Sequence, residues 1–556
     1  MKRRTLIKNL SLLPLSGVIG SGFPFKPVEA AGLSGKGIGN TDEVTPEDAV
    51  SPLVPGLQKE GKGIYASLGV RPVINGRGTI TIIGGCRILP EVEKAMQEAT
   101  LDYVEIDELM NAVGDRLGVL TGAESGLVTT GATGALIIAT TGIITGGDPD
   151  KLWQLPDLNE MKNEVIIPKY SWTAYESAVR GVGVKMITVE NRKELEAAFG
   201  PRTAMVLVLA GAQSMKGSLS VKEIATLAKP RGVPILVDAA AEGLPVPNPH
   251  ISLGADLVAY SGGKYLSGPQ CAGLLIGRKD LIKAAWVTSA PHHGFARGYK
   301  VGREEILGML TAVEMWMKRD HDKENKIWTS RLQYISERLK GIKAVTISIH
   351  QPPPQQLSNP SPSLLVQWDI NTIPLTGDDV EQLLWNQNPR IAVSGAGSFL
   401  PFPPNLKPNI LINTSQLRDG EEKIIAEGVF KVLSDPPHLQ KKSIPAAYDI
   451  SGEWDLEMKF AAGNSNQRFV FTQTGNDLTG THYATYANRE FAGTLNGHDI
   501  LIRSSYTLNG VRLNFEFRGK VSTEDSMEGK VSLSEYGMAT WKAKRHKYAP
   551  LGQYKG

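Results

Sequence analysis

Lys264 stands in "VAYSGGKYLSGPQCAGLLIGRKDL", between two glycines and a tyrosine, directly after an apolar run. A lysine where a strand should end can hold a phosphate, form a Schiff base with a carbonyl, or lie solvated in a loop. A Walker-type phosphate loop needs a glycine five residues ahead of its Gly-Lys pair and Ser or Thr behind it. Val258 and Tyr265 fill those places, which removes that reading. The Schiff-base reading needs partners of defined chemistry, and the chain offers them in order. Asp238 ends the strand-like "VPILVD", one strand before Lys264. Thr130, Gly131 and Ala132 open the apolar helix of "TTGATGALIIAT", where backbone amides would point at an anion. Ser261 adds a hydroxyl from the lysine's own loop.

An amine, a strand-end carboxylate and a helix N-terminus are what pyridoxal 5'-phosphate needs. The carboxylate keeps the ring nitrogen protonated, the helix holds the phosphate, and a flat group stacks on the ring. Tyr170, Trp172 and Tyr175 in "PKYSWTAYESAVRGVG" are candidates for stacking, with Trp172 preferred. Taken alone, a strand-end Asp is most often a helix cap and a lysine after Ser-Gly-Gly is most often solvated. Their joint order at strand ends favours the cofactor.

These residues need a scaffold that brings strand ends together. From about 64 to 320, short apolar runs such as "AMVLVLAG", "VPILVD" and "ADLVAYSGG" alternate with amphipathic stretches such as "SVKEIATLAKPRG". That pattern predicts a mostly parallel sheet covered on both faces, with its site at the carboxyl ends of the strands. Residues 321–440 mix strands with helices and predict a smaller α/β lobe, with "PPPQQLSNPSPS" as a loop. Residues 447–545 alternate in short segments broken by Gly and Asn-Gly turns, and predict a separate antiparallel barrel or sandwich. In that module Trp454, Phe491 and Trp541 are expected in the core. Cys86 and Cys271 match no metal spacing, and Cys271 is expected to pack rather than react.

At these residues the sequence resembles the fold-type-I pyridoxal-phosphate enzymes, specifically the selenocysteine synthase-like family. That family holds seryl-tRNA selenium transferases and the D-glucosaminate-6-phosphate ammonia-lyase type. The resemblance covers about residues 64 to 435 and rests on six blocks in order: "RPVINGRGTITIIGG", "GAESGLVTTGATGAL", "ILVDAAAEGLP", "AYSGGKYLSGPQCAGLLIGRKDLI", "GFARGYKVGREEILGMLTAVE" and "INTSQLRDGEE". It implies an aminotransferase-like (class V-like) fold with large and small lobes, Lys264 as the aldimine lysine and Asp238 as the pyridinium partner. It further implies a homodimer or higher homo-oligomer, with Arg297 and Lys300 of "RGYKVGREE" in a basic loop near the site. Arg77 and Arg418 are weaker candidates for a substrate carboxylate, with structural ion pairs as the alternative. The chain departs from the family at "AGAQSMKGSLS", where Gln213 stands near the expected phenol oxygen of the cofactor. His292 and His293 of "PHHG" precede the basic loop, either as residues of an ordinary loop or as substrate contacts or proton shuttles; adjacent histidines cannot easily share one metal, so no metal site is expected. The β module resembles small lipocalin-like barrels on "FTQTGNDLTGT", "FAGTLNG" and "MATWKAKR".

Compositional bounds narrow the function. The chain has 556 residues, 21% charged, with a net charge of +3. No dense basic stripe interleaved with aromatics argues for nucleic acid. The start "MKRRTLIKNLSLLPLSGVIGSG" has a basic head, an apolar segment too short to span a membrane, and small residues up to "VEAAG". Residues 1–31 therefore read as a signal, and Arg3-Arg4 resembles the twin-arginine type, a receptor-read address. Residues 32–63 read as a linker or arm. The expectation is an exported, periplasmic enzyme that meets the twin-arginine machinery and acts on a small amino substrate, an amino acid or amino sugar acid. Charged tRNA is absent outside the cytoplasm, so α,β-elimination by a dehydratase or ammonia-lyase is expected rather than selenocysteine synthesis. An aminotransferase or racemase would share the early steps. A non-catalytic ligand-binding protein on a degenerate fold is the rival of another class.

Overall fold

The computed structural model describes residues 64–353, 356–396, 407–437, 443–508 and 511–548. The proposed signal and linker lie outside them. From Arg71 onward the chain forms one compact unit, with three separate hydrophobic cores.

The first core surrounds a seven-stranded sheet. Strand β1 (Val73–Asn75) is not part of it. Its strands are β2 (Ser125–Thr129), β3 (Glu164–Pro168), β4 (Lys185–Val189), β5 (Thr203–Leu209), β6 (Ile235–Asp238), β7 (Leu257–Ser261) and β8 (Gly273–Gly277). They lie in the order β2-β8-β7-β6-β5-β3-β4. The runs from β4 to β7 pair in parallel. Only β8 is reversed, so β2 on its far side again points with the others. The strands are apolar almost without a break because both faces are covered. Each Val, Leu or Ile fully buried this way contributes about 1.5–3 kcal/mol.

Helix α1 (Ile106–Thr121) packs on β2, and α2 (Gly131–Thr145) runs through the middle of the domain. Helix α2 is apolar on all sides and nearly every residue of it is buried, as expected of a helix with no solvent face. Gly142 lets it cross helix α3 (Lys279–Trp286) closely: a Cβ there would lie 2.5 Å from the Ala285 nitrogen. Helices α4 (Arg303–Lys318) and α5 (His321–Leu339) then lead into the smaller lobe, broken at Arg319-Asp320 where Asp320 caps α5 by accepting from Lys323 N–H.

The smaller lobe is an antiparallel sheet of β9 (Val345–His350), β10 (Ser363–Trp368), β12 (Ser394–Ala396) and β13 (Asn409–Asn413), in the order β12-β13-β10-β9. It packs on α5 and on α6 (Gly377–Asn386), and α7 (Glu421–Ser434) lies against those two helices and shares their core. One detail differs from the sequence reading, which puts all of 64–320 in the large domain. Strand β1 pairs in parallel with β11 (Arg390–Ala392), and Ile74 sits in the small-lobe core. A three-residue strand carries too little periodicity to declare its distant partner.

The C-terminal region is a closed antiparallel barrel of β14 (Gly452–Lys459), β15 (Asn464–Thr474), β16 (Asp477–Tyr483), β17 (Asn488–Asn496), β18 (Asp499–Leu508), β19 (Val511–Thr523), β20 (Ser526–Ser532) and β21 (Met538–Arg545). Pairing of β21 back onto β14, with Met458 opposite Trp541, closes it and leaves no open edge. Trp454, Phe491 and Trp541 are buried in its core. Cys86 is buried, whereas Cys271 is exposed, against the packing role expected of it.

Candidate active site

The site forms where the carboxyl ends of β2, β7, β6, β5 and β3 meet one edge of the sheet. Registers fix its rows. Thr129, Gly273 and Ser261 are directly opposed, and so are Ala259, Asp238 and Leu209. Thr130 to Ala132 thus follow β2, Lys264 follows β7, and Asp238 ends the neighbouring β6.

Asp238 is buried, 6% exposed, and accepts a hydrogen bond from Ala240 N–H at 3.1 Å. Burial raises its carboxyl above the usual range; the Ala240 bond and the charge of Lys264 oppose this, and Glu242 adds to it. Lys264 is partly buried. Burial lowers the affinity of its amine for a proton, and Asp238 opposes that shift. The pair therefore combines an amine biased toward its nucleophilic neutral form with a carboxyl that gains from a cation placed beside it.

The glycines around the lysine have a packing reason. A Cβ on Gly262 would lie 2.6 Å from Met309 Sδ and 2.8 Å from the Ala272 carbonyl, and one on Gly263 would lie 2.8 Å from Gln270 Cα. They let the loop lie on the segment entering β8.

The residues fit a phosphate at the start of α2. Gly131 has φ +66°, a left-handed conformation that favours glycine, and open space lies where its Cβ would be. Thr130 Oγ1 is buried and has no hydrogen-bond partner. Gly273 permits the close approach of this turn, since a Cβ there would lie 2.3 Å from the Gly131 carbonyl carbon. A helix N-terminus with an orphaned hydroxyl suits the phosphate of pyridoxal phosphate.

Gln213 is exposed in the short helix Ala212–Lys216, just past β5 and next to the Asp238 strand. Trp172 follows β3, but its indole N–H donates to Thr188 Oγ1 on edge strand β4 at 3.0 Å, three strands away from β6. This bond ties the ring to the outer strand. Arg77 lies in a turn held by Asn75 Oδ1. Its guanidinium pairs with Glu381 at 3.4 Å, and its Nε is buried without a partner. That turn abuts Asn413, which donates to Ser361 Oγ at 2.7 Å, and Ser361 meets the Tyr265 hydroxyl at 2.9 Å. Arg77 is therefore linked to the residue beside Lys264.

His292 is engaged elsewhere: its ring contacts Ser289 O at 3.2 Å, Asp107 Oδ1 at 3.3 Å and the edge of Trp286. His293, Arg297, Lys300 and Arg418 are exposed. Tyr299, between Arg297 and Lys300, lies 3.8 Å from the place of a Gly134 Cβ, so this basic loop runs beside the first turn of α2.

One group was missed. Glu242, four residues past Asp238, is 3% exposed, bonds His250 Nε2 at 2.7 Å and accepts from Ser358 Oγ at 3.2 Å. The second carboxylate in "VDAAAE" was its visible signal. With Ser361 on Tyr265, Ser358 makes the 356–361 loop a brace across the segments that follow both Asp238 and the lysine.

The chain resembles known proteins over much of its length. Residues 90–294 match the Cys/Met metabolism PLP-dependent enzyme family. The chain is 33% identical over 298 residues to D-glucosaminate-6-phosphate ammonia lyase of Salmonella typhimurium, covering 52% of this chain and 78% of that one. It is 31% identical over 295 residues to 5'-C-glycyluridine monooxygenase-decarboxylase of a Streptomyces species, covering 51% and 72%. A solved structure of D-glucosaminate-6-phosphate ammonia-lyase superposes with a TM-score of 0.58 at 28% identity, covering 67% of this chain and all of that one.

Proposed function

Because the chain belongs to the family of pyridoxal-phosphate-dependent enzymes that includes D-glucosaminate-6-phosphate ammonia lyase, we propose that it is a lyase that removes ammonia from an amino acid or amino sugar acid by α,β-elimination. The observation that carries the reading is the buried Asp238 on the strand next to Lys264, with an orphaned Thr130 hydroxyl one row away. The choice of elimination follows the activity named for the first relative.

The cofactor, when bound, supplies an electron sink for the charge left at the substrate's α-carbon. Lys264 is the residue that would hold the cofactor's aldehyde carbon, and its Nζ would serve as the base for the substrate's α-proton. Its lowered proton affinity favours both tasks. Asp238 carries the negative charge that keeps the ring nitrogen protonated. Thr130, Gly131, Ala132 and Ser261 would hold the phosphate, and Gln213 would border the ring, whereas the Trp172 indole is held at Thr188 on the outer strand. Arg77 Nε is an unpaired donor for a substrate carboxylate. Arg297 and Lys300, exposed beside α2, serve a neighbouring copy's site in a homo-oligomer, with His293 and Arg418 at the rim. The twin-arginine-like start supports export of the folded protein to the periplasm.

The test is an assay of purified protein with amino acids and amino sugar acids, following keto-acid and ammonia together. Equal release of both supports elimination. Keto-acid formed only with an added acceptor would replace it by transamination, and inversion alone by racemisation.

A further inference from the structure

Inside the C-terminal barrel a positive charge is buried with no ion-pair partner among the described residues. Arg489 points inward from β17 and is 7% exposed. Its Nε and Nη1 are buried and have no hydrogen-bond partner. The guanidinium lies between two rings, 4.4 Å from Tyr506 and 4.0 Å from Phe515. Two acidic side chains of the barrel are engaged elsewhere: Glu516 on β19 pairs with Arg503 and Arg518, and Glu490 on β17 itself accepts from Thr481. An arginine stays charged in proteins, so an inward guanidinium with idle donors carries an uncompensated desolvation cost.

Two more orphaned groups share that interior. His482 sits directly opposite Arg489 in the β16–β17 pairing and is fully buried. The Gln467 amide donates to Ser465 Oγ at 3.0 Å, so its oxygen faces the imidazole and accepts from His482 Nε2 at 2.6 Å. This leaves Nδ1 as a bare acceptor, buried and unpartnered. Burial, and then the charge of Arg489, hold the ring neutral, with its pKa lowered to about 3. Ser504, opposite both Phe491 and Phe515, is 2% exposed and its hydroxyl has no partner. Buried polar groups normally have partners, so three such residues on the inward face of adjacent strands β16, β17 and β18 call for a common explanation.

We propose that the barrel interior at Arg489, His482 and Ser504 is a binding site for a small hydroxycarboxylate with an apolar or aromatic body. Its carboxylate accepts from Arg489 Nε–H and from the Ser504 hydroxyl. Its own hydroxyl donates to His482 Nδ1. Its body lies against Phe515 and Phe469, which contact the same arginine and histidine. The residues of this site are distinct from the strand-end site of the α/β region.

The experiment is calorimetric titration of the full-length protein with phenyllactate, with 3-phenylpropanoate lacking the hydroxyl and 3-phenylpropane-1,2-diol lacking the carboxylate. The expected result is one-to-one binding of phenyllactate, weaker binding of 3-phenylpropanoate and none of the diol. Arg489→Met and Arg489→Lys should weaken it by about tenfold or more, as for loss of a charged hydrogen bond. Ser504→Ala should weaken it less, and Lys264→Ala should leave it intact. Absence of saturable binding, affinity unchanged in both Arg489 variants, or loss of binding in Lys264→Ala would overturn the proposal. Thermal stabilisation by chloride alone, with no heat from phenyllactate, would also overturn it in favour of an inorganic anion.

Discussion

Asp238 ends β6 and Lys264 follows the neighbouring parallel strand β7, with Asp238 in register with Ala259 on that strand. Burial holds the carboxyl protonated more readily than usual and the amine less readily, and each residue's charge works against the other's shift. The pair is thus poised for a ligand that brings a ring cation to one and an aldehyde to the other.

That poise has a pH signature. Asp238's folded pKa is raised above its unfolded value, so burying it as an anion costs stability as pH rises through that interval. A cation beside it reverses the cost. We predict that cofactor affinity falls as pH drops through the raised Asp238 pKa, and that Asp238→Asn flattens this dependence. The same variant should raise the thermal midpoint of the cofactor-free protein at neutral pH. An Asn variant with unchanged affinity and slope would remove Asp238 from its role.

Thr130→Val tests the phosphate seat. The hydroxyl is buried and unpartnered, so its loss should leave the stability of the cofactor-free protein unchanged or higher. Affinity for pyridoxal phosphate should fall by about tenfold, the value of one hydrogen bond to a charged group. Equal affinity, measured by absorbance titration, would place the phosphate elsewhere.

Glu242→Ala should destabilise the protein by about 1–3 kcal/mol, the usual cost of leaving a buried hydrogen-bonding group without its partner, because it strands His250 and releases Ser358. Denaturant unfolding measures it. A change near zero would mean that the 356–361 loop does not brace the strand ends.

Truncation after residue 446 should leave cofactor binding and ammonia release intact, since the barrel has its own core. The solved ammonia-lyase is matched over its whole length by only 67% of this chain. Loss of colour in the truncated protein would show that the barrel supports the site.

The strand ends were legible because parallel strands buried on both faces are written as unbroken apolar runs, and Asp238 and the Ser-Gly-Gly-Lys turn terminate two of them. Thr130 to Ala132 were legible for the same reason at the head of an all-apolar helix. The direction of Trp172 was not, because a rotamer depends on the neighbour it finds, here Thr188 on another strand. The pairing of β1 with β11, and the closure of the barrel by β14 and β21, join segments far apart in the chain. Arg489 was invisible because an arginine normally reaches water; only the inward phase of β17 shows that this one does not.

The most direct test of the central claim is borohydride reduction of the purified, cofactor-loaded protein, followed by peptide mapping. The account predicts loss of the yellow band and a phosphopyridoxyl group on Lys264 alone. Lys264→Ala should show neither colour nor adduct, with activity reduced by at least about 10²–10⁴-fold, as for loss of a catalytic base. An adduct on a different lysine, or a Lys264→Ala protein that stays yellow and active, would contradict it.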